Sequence, residues 1–276
     1  MSQHIEITRQ GAVQIIRVNR PEKKNAFTRA MYGAMWKGLE AGEADDAIRC
    51  HMFLGVPGAF SAGNDMQDFL AYATSGGDMP ELIGFLETLA RLRKPVISAV
   101  DGLAIGIGTT IHLHCDLTLA TTRSLFRTPF VDLGLVPEAA SSLLVPAITG
   151  HQKAFALLAM GEDFSAEDAL AAGLIYKIVS EDVVEEEAMK LAEKAASRAP
   201  EALQISRRLM KRQPEIVIER IHEEAKIFAE RLRSKEAQAE RPRRNACSTR
   251  RKLSRRARGT SPVRPTMPRF EGSIPS

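Results

Sequence analysis

Asp101-Gly-Leu-Ala-Ile-Gly-Ile-Gly-Thr-Thr-Ile-His-Leu-His-Cys-Asp116 follows Pro95-Val-Ile-Ser-Ala-Val100, and these two stretches decide how the chain is read. The run 95–100 is apolar and partly β-branched, the pattern of a strand buried on both faces. Gly102, Gly106 and Gly108 then punctuate a turn, and a helix is predicted to begin over Thr109 to His114. Glycine lets the main chain approach a ligand closely, and the first N–H groups of a helix lack internal partners. Such groups attract negative oxygen. The stretch therefore predicts a site for an anion, or for an oxygen that becomes one during a reaction.

Upstream, Ile48 to Val56 reads as a second buried strand, ending in Gly55-Val-Pro-Gly-Ala-Phe-Ser-Ala-Gly-Asn-Asp65. Phe60, Ala62 and Gly63 are small or apolar and admit a ligand, while Asn64 and Asp65 are placed to begin the next helix. Ser61 invites a nucleophile reading, but its context is G-x-x-S-x-G and not the G-x-S-x-G of a nucleophile elbow. His112, His114, Cys115 and Asp116 are poor metal candidates, because their spacing scatters them over different helix faces. Gly106-Ile-Gly108-Thr-Thr-Ile111 lacks the third glycine of a dinucleotide fingerprint.

Downstream comes Gly134-Leu-Val-Pro-Glu138-Ala-Ala-Ser-Ser142, in which Glu138 is an isolated carboxylate among small and apolar residues. Buried, it would have a raised pKa and suit a general base. As a helix-start residue after Pro137 it would only be stabilised by the helix dipole. Local sequence leaves both readings open.

The chain opens with a hairpin, Ile5–Thr8 and Val13–Val18 around Gln10-Gly11. Arg20 to Ala26 is a polar loop whose Lys23 and Lys24 either meet a phosphate or are simply solvated. Thr28 caps a helix through about Glu43. Met66 to Gly77 is weakly patterned and read as mobile, and Pro80 to Leu92 carries an apolar helical stripe. A strand is read at Asp116–Ala120, followed by Ser124-Leu-Phe-Arg-Thr-Pro129 after a short turn. Helices are read at Lys153–Met160 and Ser165–Ala172, then a strand at Leu174–Val179. Helices at Val183–Arg198, Pro200–Lys211 and Pro214–Arg233 complete the patterned part.

The 276 residues, 44% hydrophobic, suffice for a substantial core. No apolar run reaches the roughly 18 residues of a membrane span, and the first ten residues do not read as a signal peptide. Three widely spaced cysteines suit a reducing compartment, and a cytoplasmic location is expected. The net charge of +4 conceals an asymmetry: residues 240–276 hold 11 basic and 2 acidic groups, a net +9, leaving −5 for residues 1–239. Apolar periodicity stops at Ala239/Glu240, and the arginine- and proline-rich remainder is expected to be disordered. It reads either as a nucleic-acid arm or as the product of a reading-frame slip; the second is preferred. The expected organisation is a core over 1–195, a helical region over 196–239 and a basic tail over 240–276.

Asn19-Arg-Pro with Asn25-Ala26, Phe60-Ser-Ala-Gly-Asn-Asp65, Lys94-Pro-Val-Ile97 and Asp101-Gly to Cys115-Asp116 together resemble the enoyl-CoA hydratase/isomerase (crotonase) family over residues 5–239. The resemblance implies an α/β fold, a spiral of ββα units with a C-terminal helical appendage, assembled as a homotrimer or a dimer of trimers. It implies acyl-CoA thioester substrates, coenzyme A entering as part of the substrate, with no further cofactor, metal, membrane or specific nucleic-acid partner. It places the acyl-CoA against Lys24, Ala26, Ser61, Ala62, Gly63, Asn64, Asp65, Met66, Gly106, Ile107 and Phe130. Family members hold the thioester oxygen with two main-chain N–H groups, which fall on Asn64 and Ile107. Hydratases of the family use two glutamates, and those positions are Thr110 and Phe130 in this chain. The A-I-G-I-G-T-T, F-R-T-P-F and G-L-V-P-E-A-A-S-S strings resemble Δ3,Δ2-enoyl-CoA isomerases of the peroxisomal type, which need one carboxylate. Glu138 is then the expected base. The chain ends Ser-Ile-Pro-Ser and not in a peroxisomal targeting tripeptide, which adds to the cytoplasmic expectation. Hydration or thioester hydrolysis of an acyl-CoA, or RNA binding by a non-catalytic member, are the competing expectations.

Overall fold

A computed structural model describes residues 2–65, 67–68 and 79–239. The chain divides into two units, Met1–Gln238 and Ala239–Ser276. The mobile segment expected from Met66 lies almost wholly outside the described residues, and so does the basic tail 240–276.

The first unit opens with β1 (Ile5–Gln10) and β2 (Val13–Val18), an antiparallel pair closed at Gly11, whose φ of 56° suits a tight hairpin turn. A loop over residues 19–28 leads to α1 (Arg29–Ala44), and the Thr28 side chain accepts the Met31 N–H as its cap. Three strand pairs follow in turn. They are β3 (Cys50–Leu54) with β4 (Ala59–Ser61), β5 (Val96–Val100) with β6 (Leu103–Ile105), and β7 (Leu117–Thr121) with β8 (Leu125–Arg127). Helix α2 (Pro80–Arg91) separates the first two pairs, and α3 (Ile107–Thr110) the second and third.

The first strand of each pair enters a six-stranded sheet ordered β1-β2-β3-β5-β7-β10, all parallel beyond β2, with β10 at Lys177–Val179. The second strand of each pair enters a smaller sheet ordered β4-β6-β8-β9, with β9 at Phe164–Ser165. Each turn of the chain thus adds one strand to each sheet, which is a spiral of ββα units. Sequence reading missed the smaller sheet, because strands of three residues have too little periodicity to register. The segment read as one turn, 102–108, contains β6, and the helix expected from Thr109 starts two residues earlier, at Ile107.

Helices α4 (Ser141–Thr149), α5 (His151–Leu158), α6 (Ala166–Ala171), α7 (Val184–Ala196), α8 (Pro200–Met210) and α9 (Pro214–Leu232) complete the unit. Helix α4 carries Pro146 inside it, the residue that hid it from sequence reading. Strand residues alternate between two cores, as their period of two requires. Phe53, Val96 and Val100 face the larger core with α1 and α2, while Met52, Leu54, Ile97 and Ala99 face α7. That helix turns Val184, Ala188, Ala192 and Ala196 toward the sheet, every fourth residue and mostly small, so it lies close on the strands.

Ala192 is fully buried at the centre of this contact. Ala192→Leu should destabilise the chain by about 1–3 kcal/mol through overpacking, read as a lower urea midpoint at unchanged m-value.

Candidate active site

The site grows from the pairing of β4 with β6, parallel neighbours in the small sheet with Ala59 opposite Leu103 and Ser61 opposite Ala104. Their carboxyl ends lead into two turns, residues 62–64 and 106–107. Gly63 has a φ of 92°, and a Cβ there would lie 3.0 Å from the Ile105 carbonyl oxygen. A Cβ at Gly108 would lie 2.7 Å from the Ser61 carbonyl oxygen, closer than such contacts allow. The two turns are therefore packed against each other through glycine. The N–H groups of Asn64 and Ile107 have no hydrogen-bond acceptor among the described residues.

Loop 19–28 is tied beneath these turns. Asn25 is fully buried, and its Nδ2 donates to the carbonyls of Val18, Ala59 and Phe60 while its Oδ1 accepts the Arg20 N–H. The Ala62 N–H donates to the Lys24 carbonyl, the Phe27 N–H to Gly63 and the Asp65 N–H to Phe27. Lys24 and Ala26 are thereby set beside the first turn. The Ser61 hydroxyl donates to the Asn25 carbonyl at 2.8 Å and accepts the Gly63 N–H, so it serves the loop. The Asp65 carboxylate pairs with Arg20 at 2.7 Å and accepts the N–H groups of Gln67 and Asp68. Met66 lies outside the described residues.

A cavity of about 720 Å³ opens beside the first turn. Asn64, Glu138 and Ala139 line one part of it, Leu82, Ile83 and Leu86 of α2 another, and Ile221, Ala225 and Phe228 of α9 a third. Asn64 and Glu138 are thus brought together. Phe130 is 5% exposed and sits in the core, and is not among the lining side chains.

Glu138 does not begin a helix, since α4 starts at Ser141 and both Ala139 and Ala140 are left-handed at φ 59° and 57°. The residue is 8% exposed, and its Oε1 accepts a hydrogen bond of 2.6 Å from the Thr110 hydroxyl. Burial pushes its pKa up to about 8; the Thr110 hydrogen bond opposes this, and the charge of Glu224 adds to it. Glu224, on α9, accepts the N–H groups of Ala140 and Ser142 at 2.7 and 2.9 Å. The Tyr32 hydroxyl donates to Asn64 Oδ1 at 2.5 Å, and burial raises the phenol's pKa, with the charges of Glu138 and Asp68 adding.

Sequence reading did not name Tyr32 or Glu224, and it saw Thr110 only as the place of a missing glutamate. Tyr32 gives no sequence signal within an ordinary helical stripe, whereas Glu224 does, since it interrupts the buried face of α9. The four residues weighed as metal ligands are spent otherwise. His112 Nδ1 bonds Ser98, His114 Nε2 donates to the Ala139 carbonyl, Cys115 Sγ donates to the Ile111 carbonyl, and Asp116 binds the Val96 N–H, Arg207 and Lys211. Among the described residues no group of three His, Cys, Asp or Glu side chains is placed to hold a metal ion, and no helix is long and apolar enough to cross a membrane.

The architecture has close counterparts. The crystal structure of an enoyl-CoA hydratase/isomerase from Pseudoalteromonas atlantica superposes with a TM-score of 0.81 at 38% identity, covering 86% of this chain and 95% of that one. The fold is that of the crotonases. Residues 8–245 match the enoyl-CoA hydratase/isomerase family, and the chain belongs to that family. Among curated relatives, enoyl-CoA delta isomerase 2 of Rattus norvegicus is 32% identical over 231 residues, 81% of this chain but 58% of that protein, under two thirds of its length. A probable enoyl-CoA hydratase of Rhizobium meliloti is 31% identical over 220 residues, 79% of this chain and 86% of that one. Isomerases and hydratases are thus matched at similar identity.

Asn25→Ala would strand the three carbonyls that Nδ2 satisfies. A loss of about 2–4 kcal/mol in urea unfolding is expected, more than a typical surface substitution costs.

Proposed function

We propose that this chain is an enoyl-CoA isomerase that moves a double bond from the 3 to the 2 position of an acyl-CoA thioester through an oxyanion-stabilised dienolate. The observation that carries the reading is Glu138. It is the buried carboxyl group lining the cavity, it shares that cavity with Asn64, and its pKa is raised to about 8. A 1,3 proton shift needs one group that takes a proton and returns it, and such a group works best with a pKa near the operating pH.

In this mechanism the thioester oxygen receives the Asn64 and Ile107 N–H groups. Ionised Glu138 removes a proton from C2, and the electron pair delocalises over C2 to C4 and the thioester oxygen. The protonated carboxyl then delivers the proton to C4, giving the 2-enoyl thioester and the starting carboxylate. Thr110 holds Oε1, and Oε2, which has no partner among the described residues, takes the proton. Main-chain donors of this kind are typically worth about 10²–10³ in rate each. Ile107 is buried, and the donor it is assigned is main chain, so it does not depend on the side chain. The substrate is the only source of coenzyme A in this scheme, and Lys24 and Ala26, beside the first turn, are assigned to hold it together with Gly63 and Gly106. Assembly as a homotrimer or dimer of trimers is proposed with it, supported by Leu209 and Met210 of α8, which stand 76% and 79% exposed in the single chain.

The test is turnover of trans-3-enoyl-CoA to the conjugated 2-enoyl form. Glu138→Gln should lower kcat by at least about 10²-fold with little change in acyl-CoA binding. Hydration of 2-enoyl-CoA or thioester cleavage, without the isomerase reaction, would discard this chemistry within the same family.

The base form of Glu138 is the active one, so kcat/KM of the unaltered chain should rise with pH through about 8. The Thr110 hydrogen bond lowers that pKa, so Thr110→Val should move the rise to higher pH. A pH–rate profile over the alkaline range reads both.

A further inference from the structure

We propose that Glu224 is a positioning residue that clamps the main chain of residues 140–142 and thereby fixes where Glu138 points into the cavity. The inference rests on the reading of Glu138 as proton shuttle. Glu224 lies in the apolar stripe of α9, with Val217, Ile221 and Leu232, and is 5% exposed. An aliphatic side chain would be ordinary at that place, whereas a buried carboxylate requires partners. Its main partners are the two N–H groups of the segment that carries Glu138, Ala140 on Oε2 at 2.7 Å and Ser142 on Oε1 at 2.9 Å.

That segment needs holding. Ala139 and Ala140 are both left-handed, at φ 59° and 57°, a region that residues with a Cβ rarely occupy. His114 tethers the Ala139 carbonyl from one side at 2.9 Å, and Glu224 tethers the following amides from the other. Thr110 fixes the Glu138 carboxyl itself. Thr110 thus holds the Glu138 side chain, while His114 and Glu224 of α9 hold the main chain that follows it.

The groups that face this pair of carboxylates are few. Thr110 and Tyr32 face Glu138 from α3 and α1. Burial raises the pKa of Glu224, opposed by hydrogen bonds from the Ser142 side chain and the Ser142 and Ala140 N–H groups and by the charge of Arg220 on its own helix, which donates to the Ser142 hydroxyl at 3.0 Å. His114 is kept neutral by burial, with Lys211 and Arg207 behind it, and Asp68 acts on Tyr32. The charge on Glu224 raises the proton affinity of Glu138, so position and proton affinity are coupled through one residue.

The experiment compares Glu224→Gln with the unaltered chain, using NMR of ¹³Cδ-labelled glutamate, with Glu138 assigned through Glu138→Gln, and turnover of 3-enoyl-CoA. Glutamine keeps the shape, loses the charge and cannot accept both amides. The Glu138 titration midpoint should fall by about one pH unit. The rise of kcat/KM with pH should move down with it. Turnover, kcat, should drop about tenfold to a hundredfold while KM holds within about threefold, as for a group displaced without losing its substrate. The proposal is overturned if midpoint and kcat are both those of the unaltered chain and only thermal stability falls, or if KM rises instead. A wild type that lacks 3-enoyl turnover but whose Glu138 midpoint still moves in Glu224→Gln keeps the clamp and removes the assigned reaction. If the variant does not fold, the unaltered chain decides. The Glu138 signal and the amide shifts of Ala140 and Ser142 should then follow two shared steps as the two carboxyls titrate, and a single-step Glu138 curve with unresponsive amides overturns the clamp.

Discussion

The structure depends on how closely two turns approach. Strands β4 and β6 are parallel neighbours, so their carboxyl ends emerge side by side, and Gly63 and Gly108 remove the side chains that would hold the turns apart. A Cβ at Gly108 would meet the Ser61 carbonyl oxygen at 2.7 Å and the Ser61 Cβ at 3.0 Å, so main chain would have to move. Loop 19–28 can seat under the first turn only because the turn is where it is. Asn25 then spans three carbonyls, and its own φ of 57° is a left-handed conformation that asparagine tolerates better than most residues. Tyr32 closes the other side by fixing the Asn64 amide.

Burial alone does not explain the proton affinity of Glu138. Glu43 is also largely buried, yet it lies at about 2, because hydrogen bonds from His51 and from the Lys94 and Arg93 N–H groups outweigh its desolvation. Glu138 has the Thr110 hydroxyl and a neighbouring carboxylate instead, and rises to about 8. The donors on Glu43, with the His51 charge, outweigh its burial, whereas the one donor on Glu138 does not. A carboxyl intended only to stabilise would collect donors as Glu43 does. One left with a single neutral donor, inside an apolar cavity, is poised between its two forms.

Much of this was legible from residues. The long elements carry clear periodicity and caps, so the hairpin, α1, α2, the buried strands and the last three helices were placed within a few residues. The glycine turns and Glu138 stood out because each breaks the pattern around it. What escaped was either too short to show a period, as with β4, β6 and β9, or ambiguous in one dimension. Ser61 looked like a ligand contact, and the fold spends its hydroxyl on Asn25. Glu224 went unnamed, although its stripe spacing with Val217, Ile221 and Leu232 marks it as inward facing. Tyr32 could not be read, since its partner Asn64 is 32 residues away.

Two carboxyl groups on neighbouring elements, both buried, are a costly arrangement unless their environments differ. In this fold they do. Glu224 accepts two main-chain N–H groups and has Arg220 within reach, so its charge is shared out, while Glu138 has a single neutral donor. Burial raises the pKa of both, and on the proposed reading Glu138, which lines the cavity, is the one that exchanges a proton. On the proposed reading a single carboxyl shuttles the proton, since Glu224 is engaged with residues 140–142 and Thr110 offers only a hydroxyl. A second base facing Glu138 across the cavity would be needed for hydration. Phe130, at the place where such a base would be expected, is buried in the core.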